Sequence, residues 1–239
     1  MFDFLRSARG HIILVLTCLA VVLFIACDTT DVEAKQAGSL LVLGDSIMEW
    51  NVEDEASIPD VIAQTLDRDV VNAAVSGARI SHPNPEAAAE GFDIRRQYLQ
   101  GSWEWVVMDG GANDLGDECN CGDCSQVLDD LISADGRSGE IPSFILSLTK
   151  SNHQIMYVGY YDAPAGGEFE QCQEEFVVLN GRVQTMAESL ENVFYISAGD
   201  VIDASNLELF DDDLIHPSIF GSERIGEYIA ETIKAIELD

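Results

Sequence analysis

Leu40-Leu41-Val42-Leu43-Gly44-Asp45-Ser46-Ile47 is a run of four apolar residues that stops at a glycine and continues into two polar ones. Four apolar side chains in succession, without alternation, suit a strand buried on both faces, as in a parallel sheet covered by helices. Gly44 permits a sharp exit from that strand. Ser46 then stands just past the strand's carboxyl end, at the start of a loop or helix. Its N–H would be free there and its hydroxyl would face the crevice. Taken alone, Gly-Asp-Ser also reads as a capped turn, because Asp and Ser are good turn and cap residues.

The same pattern recurs along the chain. Short apolar runs at 70–71, 105–108, 154–160 and 193–197 read as further strands. Helical spacing appears at 58–66 and at about 86–99, 126–132, 141–150, 174–190 and 218–236. Strand–helix alternation on this scale predicts an α/β fold with a parallel sheet covered on both faces. In such open sheets the chemistry sits at the carboxyl ends of the strands.

Two more strand ends carry suggestive groups. The run ending at Met108 continues Asp109-Gly110-Gly111-Ala112-Asn113-Asp114, where glycines allow close backbone approach and Asn113 can aim an amide donor into the crevice. An Asx-turn is the alternative for Asn113. The run at Val70 and Val71 continues Asn72-Ala73-Ala74-Val75-Ser76-Gly77, and Gly77 offers a backbone N–H with no side chain in the way. An ordinary loop glycine is the alternative there.

Near the C-terminus stands Asp211-Asp212-Asp213-Leu214-Ile215-His216-Pro217. A spacing of three in a turn lets the Asp213 carboxylate reach His216 Nδ1 and fix the tautomer, leaving Nε2 as a base. A solvated loop histidine is the alternative. Asp211 and Asp212 compete for the imidazole from poorer positions. Of the four histidines, His11 lies in the N-terminal apolar segment, His82 in a loop and His153 at a strand entrance. His216 is the best candidate base. Together these loops hold a nucleophile, a base with its orienting carboxylate, and oxyanion donors, the set that acyl transfer needs.

Gly44-Asp45-Ser46-Ile47, Gly77, Gly111-Ala112-Asn113-Asp114 and Asp213-Leu214-Ile215-His216 resemble, in order and separation, the four motif blocks of the SGNH (GDSL-like) hydrolase superfamily. Ile47 stands where the family's name has Leu. The resemblance spans about 39–238. It implies a flavodoxin-like three-layer α/β/α sandwich with a five-stranded parallel sheet. It further implies Ser46 as nucleophile, His216 as general base and Asp213 as its orienter. The Ser46 N–H, the Gly77 N–H and the Asn113 amide would form the oxyanion hole. The expected activity is that of an acyl-ester hydrolase needing no metal or cofactor, acting as a monomer on a small-molecule or carbohydrate acyl ester. A non-catalytic carbohydrate- or lipid-binding protein that keeps the fold is the alternative. The G-x-S-x-G elbow of α/β-hydrolases is absent.

Composition fits a globular, acidic protein. Apolar residues make up 47%, and 12 Lys plus Arg face 43 Asp plus Glu, for a formal net charge of -31. Such a surface repels phosphate backbones, which argues against nucleic-acid partners. Arg6 and Arg9 precede an apolar run from Ile12 to Ile25. That run is short of the roughly 20 residues of a membrane span and suits a signal peptide. It ends Ala26-Cys27, which resembles a lipoprotein signal with Cys27 as the lipidated residue. The expected division is a signal at 1–26, a tether at 27–38 and the hydrolase domain at 39–239. The expected location is the cell envelope, with a membrane anchor through lipid or an uncleaved signal.

Cys119, Cys121, Cys124 and Cys172 remain, an even number that suits two disulfides in an oxidising compartment. A four-thiolate zinc site is the alternative. Bonding across C-x-C is strained, which favours Cys119–Cys124 with Cys121–Cys172. Arg79 is expected at the surface or on a substrate carboxylate. Tyr160 and Tyr161 are expected in the core or as pocket wall, and Trp103 and Trp105 in the core.

Overall fold

A computed structural model describes residues 39–151 and 153–238. Five strands form one parallel sheet: β1 (Leu40–Leu43), β2 (Val70–Asn72), β3 (Trp105–Met108), β4 (Gln154–Gly159) and β5 (Val193–Ser197). Their order is β2-β1-β3-β4-β5, the flavodoxin-like arrangement. β1 and β3 are buried along their whole length. That is the physical meaning of their unbroken apolar runs, since each face is covered by helices.

The helices are α1 (Ser46–Glu49), α2 (Ile58–Leu66), α3 (Ala112–Cys119), α4 (Ser125–Leu131), α5 (Glu140–Leu148), α6 (Gln173–Glu188) and α7 (Ile219–Leu238). α2 packs against α7, while α4 packs on both α5 and α6, and α6 lies on β4 and β5. Ser57 begins α2 with a reciprocal capping box to Asp60, which satisfies two of the helix's otherwise unpaired N–H groups. The strand order reverses at β1, so the crevice between β1 and β3 opens where their carboxyl ends diverge.

Two expectations need correction. No continuous helix covers 86–99. A turn at Pro85–Ala87 gives way to a distorted turn in which Gly91 takes φ 98°. A Cβ at Gly91 would lie 2.8 Å from Val75 Cγ2, and Asp93 then caps a separate short turn at Ile94–Arg96. Arg79 is also not a surface residue. It is buried, paired with Glu118 and 3.8 Å from Asp114 Oδ1. Trp103 and Trp105 are buried in the core.

Residues 1–38, where the signal and the lipidated Cys27 are expected, lie outside the described residues. Among the described residues no helix is long and apolar enough to cross a membrane.

Candidate active site

Asp45 and Ser46 follow β1 directly. Asp45 caps α1, accepting from the Ile47 N–H at 2.9 Å, so Ser46 begins the helix. Gly44 makes this turn at φ 149°, and any Cβ there would run into the Asp109 carboxylate. That close approach is why the position before Asp45 takes glycine.

The loops around Ser46 are stitched to one another. The Ser76 N–H donates to Glu49 Oε2 at 2.6 Å, holding the Gly77 loop against α1. Asn113 Nδ2 donates to the Ala78 carbonyl at 2.9 Å, and the Ile80 N–H donates to Asp114 Oδ2 at 3.0 Å. The Gly77 loop is thus fixed to β3's end as well as to β1's. An amide carries two N–H donors, so Asn113 keeps one after this bond. Gly77 has φ 78° and a Cβ would meet only Phe92 Cε1, at 3.8 Å. Backbone conformation, not lack of room, favours glycine there.

His216 sits in a loop closed by the Phe210–Pro217 bridge. Its Nδ1 is 2.6 Å from Asp213 Oδ2, while the N–H groups of Ile215 and His216 donate to Asp213 Oδ1 at 2.9 and 3.0 Å. Burial raises the Asp213 pKa, but these bonds outweigh it and hold the carboxyl below its usual range. The carboxylate is therefore charged at neutral pH and aligned with the imidazole.

Two residues with no sequence-based expectation bring this loop to Ser46. Trp50, one turn after Ser46, donates its Nε1–H to Asp211 Oδ2 at 2.8 Å and stacks on the His216 ring. Asn51 donates to the Pro217 carbonyl at 3.0 Å and to Ser222 Oγ at 2.9 Å. The spacing of Ser46 and Trp50, four apart in a helical turn, is the one sequence signal that places them on one side. Asp211 thus does not compete for the imidazole; it holds the ring that covers it.

Beneath Ser46 lies a buried acid pair. The Asp45 N–H donates to Asp109 Oδ1 at 2.9 Å, and Tyr160 donates its hydroxyl to Asp45 Oδ2 at 2.6 Å. The Ala112 N–H donates in turn to the Tyr160 hydroxyl at 3.3 Å, so Tyr160 links the Ser46 loop to the Asn113 loop. Burial, and then the Asp45 charge, push Asp109 well above the usual carboxylate range. Burial raises Asp45 as well, against the Tyr160 and Ile47 hydrogen bonds that lower it, so Asp109 is the member of the pair pushed further toward its protonated form. Tyr161, also buried, donates to the Ile215 carbonyl at 2.7 Å and steadies the histidine loop.

Ser46, Gly77, Asn113 and His216 line one open cavity of about 720 Å³. Disulfides join Cys119 to Cys124 and Cys121 to Cys172, with Cα separations of 5.2 and 4.8 Å. Cys121 lies on the rim of this cavity, and Cys172 ends the turn at Glu168–Cys172 that forms another part of the rim.

A five-stranded parallel sheet of this order, with serine, glycine, asparagine and a histidine–aspartate pair converging at its switch point, defines an SGNH-type hydrolase. The chain belongs to the GDSL-like lipase/acylhydrolase family, whose model matches residues 42–224. No curated protein matches it in sequence. Among solved structures it resembles a carbohydrate acetylesterase from Sinorhizobium meliloti, at 20% identity and TM-score 0.54 over 83% of this chain and 99% of that one. It also resembles the aryl esterase of M. smegmatis, at 19% identity and TM-score 0.54 over 82% and 98%. A psychrotrophic esterase from Pseudoalteromonas sp. aligns at 16% identity and TM-score 0.57 over 84% and 100%. At these identities the likeness speaks for the fold.

Proposed function

We propose that the chain is a serine ester hydrolase with Ser46 as nucleophile. The observation that carries this is His216, held at Nδ1 by Asp213, lining the same cavity as Ser46, Gly77 and Asn113. Ser46 Oγ attacks the acyl carbon while His216 Nε2 takes its proton, and the carbonyl oxygen becomes an oxyanion. The Ser46 and Gly77 N–H groups and the second Asn113 N–H stabilise that charge; each such donor typically contributes about 2.7–4 kcal/mol. The intermediate collapses as the ester C–O bond breaks, and His216 returns the proton to the departing alcohol. Water, deprotonated by His216, then cleaves the acyl-serine, releasing the acid and regenerating Ser46. Asp213 holds the tautomer and stabilises the imidazolium at each step. Ester hydrolysis is also the activity named for the three structural relatives.

The test is p-nitrophenyl ester hydrolysis by the wild type, Ser46→Ala and His216→Ala. Loss of nearly all kcat in both variants supports the assignment, and wild-type rates in Ser46→Ala refute it. We further propose that the protein is exported and anchored through lipid on Cys27. Its two disulfides suit an oxidising compartment. Mass spectrometry of membrane-extracted protein decides this: a diacylated N-terminal Cys27 supports it, and an intact Met1 or an unlipidated terminus refutes it.

A further inference from the structure

Ser46 stands between two cavities of unlike size and chemistry. The larger, about 720 Å³, is open, with Ser76, Asp117, Asn120, Glu168 and Gln171 on its wall beside His216. The smaller, about 30 Å³, is walled mainly by Ile47, Ala112, Tyr160, Phe169, Phe176 and Ile215. His216 lines the larger cavity and not the smaller. The departing alcohol must receive its proton from His216, so it occupies the larger cavity. The acyl group, on the other side of the carbonyl carbon, points into the smaller one.

We infer that the site selects short acyl groups, acetyl to propionyl, on large polar alcohols, with the Tyr160–Phe176–Phe169 ring ladder as its length limit. This rests on Ser46 being the nucleophile. A water-sized group needs on the order of 10–15 Å³ of such space, so the smaller cavity admits roughly two carbons beyond the carbonyl. Its far wall is held. Tyr160 stacks on Phe176 with centroids 5.1 Å apart, and Phe176 stacks on Phe169 at 5.8 Å. The Tyr160 hydroxyl is fixed by Asp45. Phe169 lies on the turn that the Cys121–Cys172 disulfide ties to the end of α3. The hydroxyl, amide and carboxylate groups of the larger cavity can accept and donate hydrogen bonds to a hydroxyl-rich alcohol. Its two carboxylates disfavour an anionic one.

The experiment compares kcat/KM for p-nitrophenyl acetate, butyrate and octanoate, and for an acetylated monosaccharide against dodecyl acetate. The wild type is expected to prefer acetate to octanoate by at least tenfold, and the sugar ester to the alkyl ester. Phe169→Ala, at a half-buried ring that borders both cavities, is expected to narrow the acetate preference at least tenfold. Phe176→Leu, a milder change deeper in the ladder, is expected to narrow it too. Octanoate hydrolysed as well as acetate by the wild type, a preference for dodecyl acetate, or an unchanged profile in both folded variants would overturn the inference. A fluorophosphonate probe separates the two levels. Ser46 labelled alongside an octanoate preference sinks the length limit alone, whereas an unlabelled Ser46 without hydrolysis of any ester sinks the nucleophile and the limit with it.

Discussion

The indole of Trp50 lies flat on the imidazole of His216, with ring centroids 3.6 Å apart and planes 6° from parallel. Asp213 grips one edge of the imidazole and Trp50 covers one face, so the ring has little freedom to turn. In the proposed mechanism the indole face also favours the imidazolium that forms as Ser46 loses its proton. Such cation–π attraction is worth about 0.5–1 kcal/mol at exposed sites.

Trp50→Ala is therefore expected to lower kcat roughly two- to fivefold from that attraction alone, with further loss from the freed ring. Trp50→Phe keeps a stacking face but loses the Asp211 bond, and is expected to fall between. Steady-state kinetics on one ester decides this. Unchanged kcat in Trp50→Ala would show that Asp213 alone positions the base.

The Asp45–Asp109 pair makes a second prediction. Asp109 is the carboxyl pushed further toward the neutral form, so Asp109→Asn preserves its shape and an acceptor for the Asp45 N–H. It is expected to keep most of the wild-type stability and kcat. Asp109→Ala leaves the Asp45 N–H unpaired in the core, a penalty of about 1–3 kcal/mol. That corresponds to roughly 2–4 °C in Tm per kcal/mol for a domain of this size. Equal damage from both substitutions would show that Asp109 works as an anion.

Asp114 adds a pH dependence. Burial is the main cause of its pKa rising from 3.8 to about 6. A carboxyl raised in the folded state favours folding when protonated. Its contribution is fully present below about pH 4 and is lost as pH rises through 6, a change of about 3 kcal/mol. Asp114→Asn keeps an acceptor for the Ile80 N–H without the charge. It is expected to gain stability over the wild type at pH 8 and to match it near pH 4. Chemical denaturation at the two pH values measures this, and parallel profiles would contradict it.

Much of this was legible in the sequence because strand burial and strand-end chemistry are local. The strands at 40–43, 105–108 and 193–197 fall where their apolar runs lie, and Ser46, Gly77, Asn113 and His216, one from each motif block, line one cavity. α3 was hidden because Gly110-Gly111-Ala112-Asn113-Asp114 carries turn residues, yet the helix begins within it. The helical pattern at 86–99 was overridden by Gly91 fitting against Val75, a contact from another loop. The Arg79 pairs and the Trp50 stack join residues whose meeting depends on the finished fold, so no local pattern announces them.

The disulfides give a fourth prediction. Peptide mapping without reduction is expected to recover Cys119 linked to Cys124 and Cys121 linked to Cys172. Cys172→Ala is expected to destabilise the fold by about 2–4 kcal/mol and to loosen the turn that carries Phe169. Four free thiols in the purified, unreduced protein would contradict both parts.

If Ser46 is the nucleophile it passes through a covalent acyl-enzyme, and covalent trapping reads that out. The protein is treated with a fluorophosphonate and the labelled peptide is mapped by mass spectrometry, with His216→Ala in parallel. One adduct is expected, on Ser46, with hydrolysis abolished in step, and labelling slowed by orders of magnitude in His216→Ala. An adduct on another serine, or labelled protein that still hydrolyses esters, would contradict it.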